Sequence, residues 1–355
     1  MTTLKLPGLL SDKNKVLKDD QRVDKRLLAM LAPFGFDARP PAIPLNSESP
    51  YEDCAALGDG AEGDFEGLMS ALFANVTPIE GIDRTTVTIK GVDDNDIDLY
   101  IHKPKNQKEN LPSILHLHGG GMTILTAQTD CYPHWRDALS EKGLVVVGVD
   151  FRNAAGKLGR NPYPAGLNDC MSALEWLNNN KDELGVSKVI VSGESGGGNL
   201  SLALSLKAKN DTKGDFIQGT YAMCPYIYGD YGKKIDELPS LTENDGYFLD
   251  VNFCSVLASV YNPGKSPSDD YLAWPYWAEE KDLQGLSPHV ISVNELDPLR
   301  DEGLAYFRKL VNAGVNSYSR TVNGTTHAAD GLAVKSMPEV WDSTLRDIKG
   351  FAETL

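Results

Sequence analysis

Four short apolar runs constrain the fold more than any other feature of this chain: Ser113-Ile-Leu-His-Leu-His118, Leu144-Val-Val-Val-Gly-Val149, Val189-Ile-Val-Ser192 and Val290-Ile-Ser-Val293. They are rich in β-branched residues, and segments of helix length separate them. Such runs mark parallel strands buried on both faces of a βα-alternating sheet. Helical spacing of apolar residues predicts helices over 165–179, 196–208, 301–312 and 337–351, which makes the sheet doubly wound. Ahead of these runs, 85–90 and 96–102 alternate apolar with polar residues, as half-buried antiparallel strands do. Residues 1 to about 80 show no strand pattern. They read as helix-compatible and loop-rich, with a proline break at Arg39-Pro-Pro-Ala-Ile-Pro44 and a polar, glycine-containing stretch over 46–63.

The sequence Gly193-Glu-Ser-Gly-Gly197 follows one strand run and opens a helix, the context of a nucleophile elbow that presents the hydroxyl of Ser195. Alone the pattern is weak, because a chain with 33 glycines would produce it by chance roughly one time in five. His118-Gly-Gly-Gly121, placed directly after another strand run, is far rarer. Its backbone N–H groups are free to approach a developing oxyanion, so Gly120 and Gly121 are expected donors, with Gly196 as the third at a helix N-terminus. His118 sits inside that turn and is expected to anchor it.

A serine nucleophile needs a base. Of six histidines, His102 and His116 lie in strand patterns, His134 in a helix-like stretch and His289 at a strand start. His327 lies in a loop between the strand-like 317–322 and a helix, at the carboxyl edge of the sheet. An orienting carboxylate is expected between Ser195 and His327 in the chain. Asp297 is preferred, since Pro298 fixes the turn just past a strand; Glu295 is the second choice. Asp301 and Glu302 suit the first turn of a helix.

These residues point to acyl transfer, with an ester as the expected substrate; an amidase or deacetylase would use the same triad, and a non-catalytic ligand receptor would need no base. No metal and no organic cofactor is expected. Over 226–286 the βα alternation is broken by an insertion carrying Glu243-Asn-Asp-Gly-Tyr-Phe248 and Trp274-Pro-Tyr-Trp277. Its aromatic residues, Tyr226, Tyr247, Phe248 and Trp274 among them, are candidates either for binding substrate or for ordinary packing within a cap.

A formal charge of −16 argues against a nucleic-acid partner. No apolar stretch reaches the ~18 residues a spanning helix needs, and Met1-Thr-Thr-Leu-Lys is no basic leader, so no membrane span and a cytoplasmic location are expected. Five cysteines without a C-x-x-C pair point to neither a disulfide framework nor a zinc site.

Taken together, the chain from about Ser113 to Phe351 resembles the hormone-sensitive-lipase-type family of α/β hydrolases. The motifs that carry this are His118-Gly-Gly-Gly-Met-Thr-Ile-Leu125, Val149-Asp-Phe-Arg-Asn153, Gly193-Glu-Ser-Gly-Gly-Gly-Asn-Leu200, Leu238-Pro-Ser-Leu-Thr-Glu-Asn-Asp-Gly-Tyr-Phe248, Ala273-Trp-Pro-Tyr276 and Asn294-Glu-Leu-Asp-Pro-Leu-Arg-Asp-Glu-Gly303. The resemblance implies a mostly parallel eight-stranded sheet with helices on both faces and a helical cap. It divides the chain into an N-terminal cap region, 1–84, and a catalytic domain, 85–355, with 226–286 as a cap insertion. It places Ser195, Asp297 and His327 as the triad, implies a small-molecule ester substrate, and admits a homodimer. One departure stands out. Many members carry Asp-Tyr-Arg-x-Ala-Pro-Glu where this chain has Asp150-Phe-Arg-Asn-Ala-Ala-Gly156.

Overall fold

In the computed structural model, which describes residues 6–233 and 235–355, eight strands form one sheet in the order β1-β2-β4-β3-β5-β6-β7-β8. They are β1 (Ile82–Lys90), β2 (Asp96–Pro104), β3 (Leu111–Leu117), β4 (Val145–Val149), β5 (Val186–Glu194), β6 (Gly219–Met223), β7 (His289–Asn294) and β8 (Ser317–Val322). β1 pairs antiparallel with β2, and β2 with β4; the remaining five pairs are parallel. The two alternating runs thus form the antiparallel edge, and the continuous apolar runs fill the centre. β1 begins at Ile82, three residues before the alternation shows, because Ile82 is buried and pairs with Pro104.

Among the described residues, eight helices of more than one turn accompany the strands: α1 (Lys25–Leu31), α2 (Tyr51–Phe73), α3 (Cys131–Glu141), α4 (Ala165–Asn179), α5 (Gly196–Asn210), α6 (Val251–Tyr261), α7 (Arg300–Asn312) and α8 (Pro338–Thr354). The period of two along each strand sorts them to opposite faces. Ile114, Val146, Ile190, Tyr221 and Val290 pack against α3 and α8 through Trp135, Leu139, Leu345, Ile348 and Phe351. Leu115, Val147, Val191 and Ile291, one step along, join the larger core with α4, α5 and α7.

Two elements escape the sequence reading. β6, Gly219-Thr-Tyr-Ala-Met223, lacks a β-branched run, yet all five residues are buried between β5 and β7. α2 runs as 23 residues within the region read as helix-compatible and loop-rich, and across much of its polar, glycine-containing stretch. Its buried positions, Cys54, Ala55, Gly58, Glu62, Met69 and Leu72, recur at helical spacing, and tertiary packing of that stripe outweighs the cost of its glycines. The N-terminal segment packs on the insertion and on the loops after β7 and β8: Leu17, Leu27, Leu31, Leu68 and Leu72 share one cluster with Tyr247, Phe248, Leu296 and Ala333.

Candidate active site

β5 ends at Glu194, α5 starts at Gly196, and Ser195 between them takes φ 57° and ψ −117°. A non-glycine residue persists there only when its surroundings over-determine it. The crossing of β5 and α5 against the end of β3 does so: a Cβ on Gly197 would lie 1.8 Å from the carbonyl oxygen of Leu117, and one on Gly193 2.3 Å from the same atom. The backbone of Ser195 is fixed as well, its N–H donating to Met223 (2.9 Å) and its carbonyl accepting from Tyr226 (3.1 Å).

Asp297 and His327 meet from the loops after β7 and β8. Both are buried, and His327 Nδ1 donates to Asp297 Oδ2 at 2.8 Å. The other carboxylate oxygen accepts the N–H of Leu299 at 2.9 Å. Burial disfavours an imidazolium here, but the Asp297 carboxylate outweighs it and holds His327 well above the ordinary histidine range. Glu295 turns away to accept the N–H of Gly324 at 2.8 Å. Glu302 lies in the first turn of α7, as expected, and is also buried. It receives the N–H groups of Ile227 and Tyr228 and the hydroxyl of Tyr231, and burial pushes its carboxyl up to about 8.

Ser195 and His327 line one cavity of about 930 Å³, its mouth included, with no hydrogen bond between them in this state. Cys224 stands beside the histidine, so that Cys224, Asp297 and His327 offer donor atoms within 4.8 Å of one another. The Nδ1 proton already given to Asp297 makes this a hydrogen-bonded pair with a thiol next to it, and burial raises that thiol out of the range in which it ionises near neutrality.

The glycine loop after β3 supplies the opposite wall. Gly120 (φ 94°) and Gly121 (φ 63°) turn sharply, and the Gly120 carbonyl accepts from Thr123 and Ile124, each at 3.0 Å. Both glycines line the cavity. Gly196 does not, but its Cα packs so closely that a Cβ there would lie 2.7 Å from the nitrogen of Gly121. His118 is buried, stacked on Phe151 at 4.1 Å, and donates from Nδ1 to the Gly119 carbonyl at 2.8 Å; burial lowers its pKa to about 3, leaving it neutral.

Four neighbours were not singled out from sequence: Glu194, Tyr132, Cys224 and Glu62. Glu194 Oε1 accepts the N–H of Gly119 at 2.6 Å, beside the Tyr132 hydroxyl at 3.1 Å. Its place next to Ser195 was the available signal. Glu62, from α2, sits at the family departure: a Cβ on Gly156 would lie 2.8 Å from its carboxylate. Of the four aromatic candidates, Tyr226 and Phe248 line the cavity. Tyr247 and Trp274 do not. The Tyr247 hydroxyl donates to Asp20 at 3.2 Å, and Trp274 lies under Gly229 with its ring edge-on to Tyr226 and Tyr261. The remaining walls are mostly apolar, with Phe65 and Met69 from α2 and Phe253 and Leu257 from α6.

Comparison with known proteins follows the same residues. A family model for the alpha/beta hydrolase fold matches residues 114–330. Carboxylesterase NlhH of Mycobacterium tuberculosis is 34% identical over 239 residues, 66% of this chain and 71% of that protein. An arylesterase of Saccharolobus solfataricus is 29% identical over 269 residues, 73% of this chain and 81% of that one. Among solved structures, brefeldin A esterase, a bacterial homologue of human hormone-sensitive lipase, matches with a TM-score of 0.93 and 39% identity over 98% of both chains. That likeness also spans the N-terminal segment, which the sequence motifs did not reach. The chain belongs to the alpha/beta hydrolase fold family, in its hormone-sensitive-lipase-type branch.

Proposed function

We propose that this protein is a serine carboxylic-ester hydrolase that works through an acyl-enzyme, with Ser195 as nucleophile, His327 as base and Asp297 as the group that orients the histidine. The observation that carries this reading is the buried 2.8 Å contact between His327 and Asp297 on the wall of the cavity that also holds Ser195 at a strained strand-to-helix turn. Relatives named as esterases support the reaction class.

The Ser195 hydroxyl attacks the ester carbonyl while His327 Nε2 takes its proton; Asp297 keeps Nδ1 protonated and stabilises the imidazolium. Negative charge gathers on the carbonyl oxygen, which the N–H groups of Gly120, Gly121 and Gly196 receive. The imidazolium returns its proton to the leaving alcohol, and a water activated by the same histidine releases the acid. Each such donor is worth roughly 10²–10³ in kcat.

Residues 82–84 of the N-terminal region, 1–84, belong to the sheet, and the described part ahead of β1 acts with the insertion, 226–286, as a cap over this cavity. Its apolar lining selects uncharged esters with short acyl chains, or lactones. Hydrolysis of p-nitrophenyl esters from acetate to palmitate is the test, with Ser195→Ala beside it. A maximum at short chains that vanishes in Ser195→Ala, with folding intact, is expected; turnover surviving in that variant sinks the assignment. Amide hydrolysis without ester hydrolysis would favour the amidase reading.

A further inference from the structure

The candidate oxyanion loop is held at its far end by a carboxylate that comes from the cap. Glu62, on α2, is 2% exposed, and Oε1 accepts the N–H of Leu125 at 2.7 Å while Oε2 accepts the N–H of Lys157 at 2.8 Å. Leu125 has φ 72°, a conformation a leucine keeps only when its neighbours impose it. Its carbonyl is taken as well, by the side-chain amide of Asn153 at 2.5 Å. The strain is thus pinned at both polar atoms, and one of the two pins belongs to another part of the chain.

Leu125 lies four residues past Gly121, and its neighbour Ile124 packs back on Gly120. The carbonyl of Ile124 packs against Gly120 so tightly that a Cβ there would lie 2.1 Å from it, and the Ile124 N–H donates to the Gly120 carbonyl at 3.0 Å. A shift at Leu125 therefore reaches Gly120 directly. Gly156, with φ 73°, leaves the room that the Glu62 carboxylate fills.

We propose that Glu62 is a positioning residue for the oxyanion loop, so that the donor geometry at Gly120 and Gly121 is complete only when α2 is docked. Resting on the esterase reading above, this joins substrate enclosure to transition-state stabilisation: a cap lifted away leaves the nucleophile in place and the loop unpinned. Asp59 supplies the control, since it docks the same helix to the same 153–157 segment through the N–H of Gly156 at 2.7 Å, while its other carboxylate oxygen pairs with Arg160 at 3.1 Å and not with the oxyanion loop.

Glu62→Gln, whose amide accepts one N–H and turns its own N–H2 toward the other, is the test, with Asp59→Asn in parallel. In Glu62→Gln, kcat is expected to fall roughly tenfold or more while KM stays within about twofold, and affinity for a trifluoromethyl ketone, which forms the tetrahedral adduct, to fall in step with kcat. Asp59→Asn is expected to keep both. Wild-type kcat and ketone affinity in folded Glu62→Gln overturn the proposal; so does an equal loss in both variants with KM rising, which would assign the effect to helix docking alone. Should Glu62→Gln not accumulate folded, Glu62→Asp, which keeps the charge but shortens the reach by a methylene, is read in the same way. Hydrolysis persisting in Ser195→Ala would instead strike the underlying esterase reading.

Discussion

Asp297 is held by more than the imidazole it faces. The side-chain amide of Asn244 donates to the carbonyl oxygens of Glu295 (3.2 Å) and Asp297 (3.1 Å), and its own oxygen accepts from Arg22 at 3.1 Å. The carboxylate is therefore aimed by backbone that a buried amide fixes, and its charge acts on His327 at a set distance. His327 must be neutral to accept a proton, so kcat/KM is expected to rise with pH through an acid limb lying above 6.5. Asp297→Asn removes the larger of the two influences that raise the pKa, Cys224 being the other, and leaves burial, which lowers it. The limb should then move down, with kcat reduced by a factor on the order of 10⁴, the loss known for the equivalent change in serine proteases. A pH–rate profile of the two proteins checks both. Stability moves the opposite way: the contribution of the pair is fully present below 6.5 and lost as pH rises through the folded-state pKa of His327, a slope Asp297→Asn should lack.

At the scale of elements, α2 brings Phe65 and Met69 to the cavity wall, and α6 brings Phe253; the rings of Phe65 and Phe253 stack at 6.1 Å across the gap. Met69→Ala removes an unbranched side chain from that wall, so the optimum in the p-nitrophenyl ester series should shift to longer acyl chains, whereas an unchanged optimum would show that the acyl group lies elsewhere. How much of this was legible follows from the kind of signal each element leaves. β3, β4, β5 and β7 announce themselves because burial on both faces demands continuous apolar runs, and chain order with turn chemistry separates Asp297 from Glu295 two residues away. β6 leaves no such mark, since Thr220 and Tyr221 owe their burial to neighbours on either side. The pocket walls were illegible for a related reason. Tyr247 and Phe248 are adjacent and both aromatic, yet one bonds to Asp20 and the other faces the cavity, a choice made by the φ of 71° at Phe248 and by contacts more than 200 residues distant in sequence.

Across the whole molecule, the N-terminal segment is tied to the insertion by charge as well as by apolar packing. Arg22 pairs with Asp20 at 2.8 Å and with Glu243, reaches Asn244, and shares Glu243 with Arg300. Burial raises the pKa values of Asp20 and Glu243, but their arginine partners outweigh it and both are depressed. Their contribution is thus present above the ordinary carboxyl range and lost as pH falls through the folded values. Arg22→Ala leaves two nearly buried carboxylates short of a partner and should cost about 3 kcal/mol, measured by denaturant unfolding near neutrality. A loss within error would show that Arg300 suffices for Glu243 and the Tyr247 hydroxyl for Asp20.

Arg22 and Glu243 stand 221 positions apart, and that separation has a kinetic meaning. A ribosome delivers the N-terminal segment before any strand of the sheet; α2 meets its partners at Leu125 and Lys157 soon after, but Arg22 waits until the insertion emerges. Closing so long a loop is entropically late among the steps of folding. The interior sheet can thus be complete while the molecule is still inert, and a chain refolding from denaturant regains its far-ultraviolet dichroism before it regains a closed pocket. Catalytic competence is then expected to return last on refolding and, by the same logic, to be lost first on unfolding.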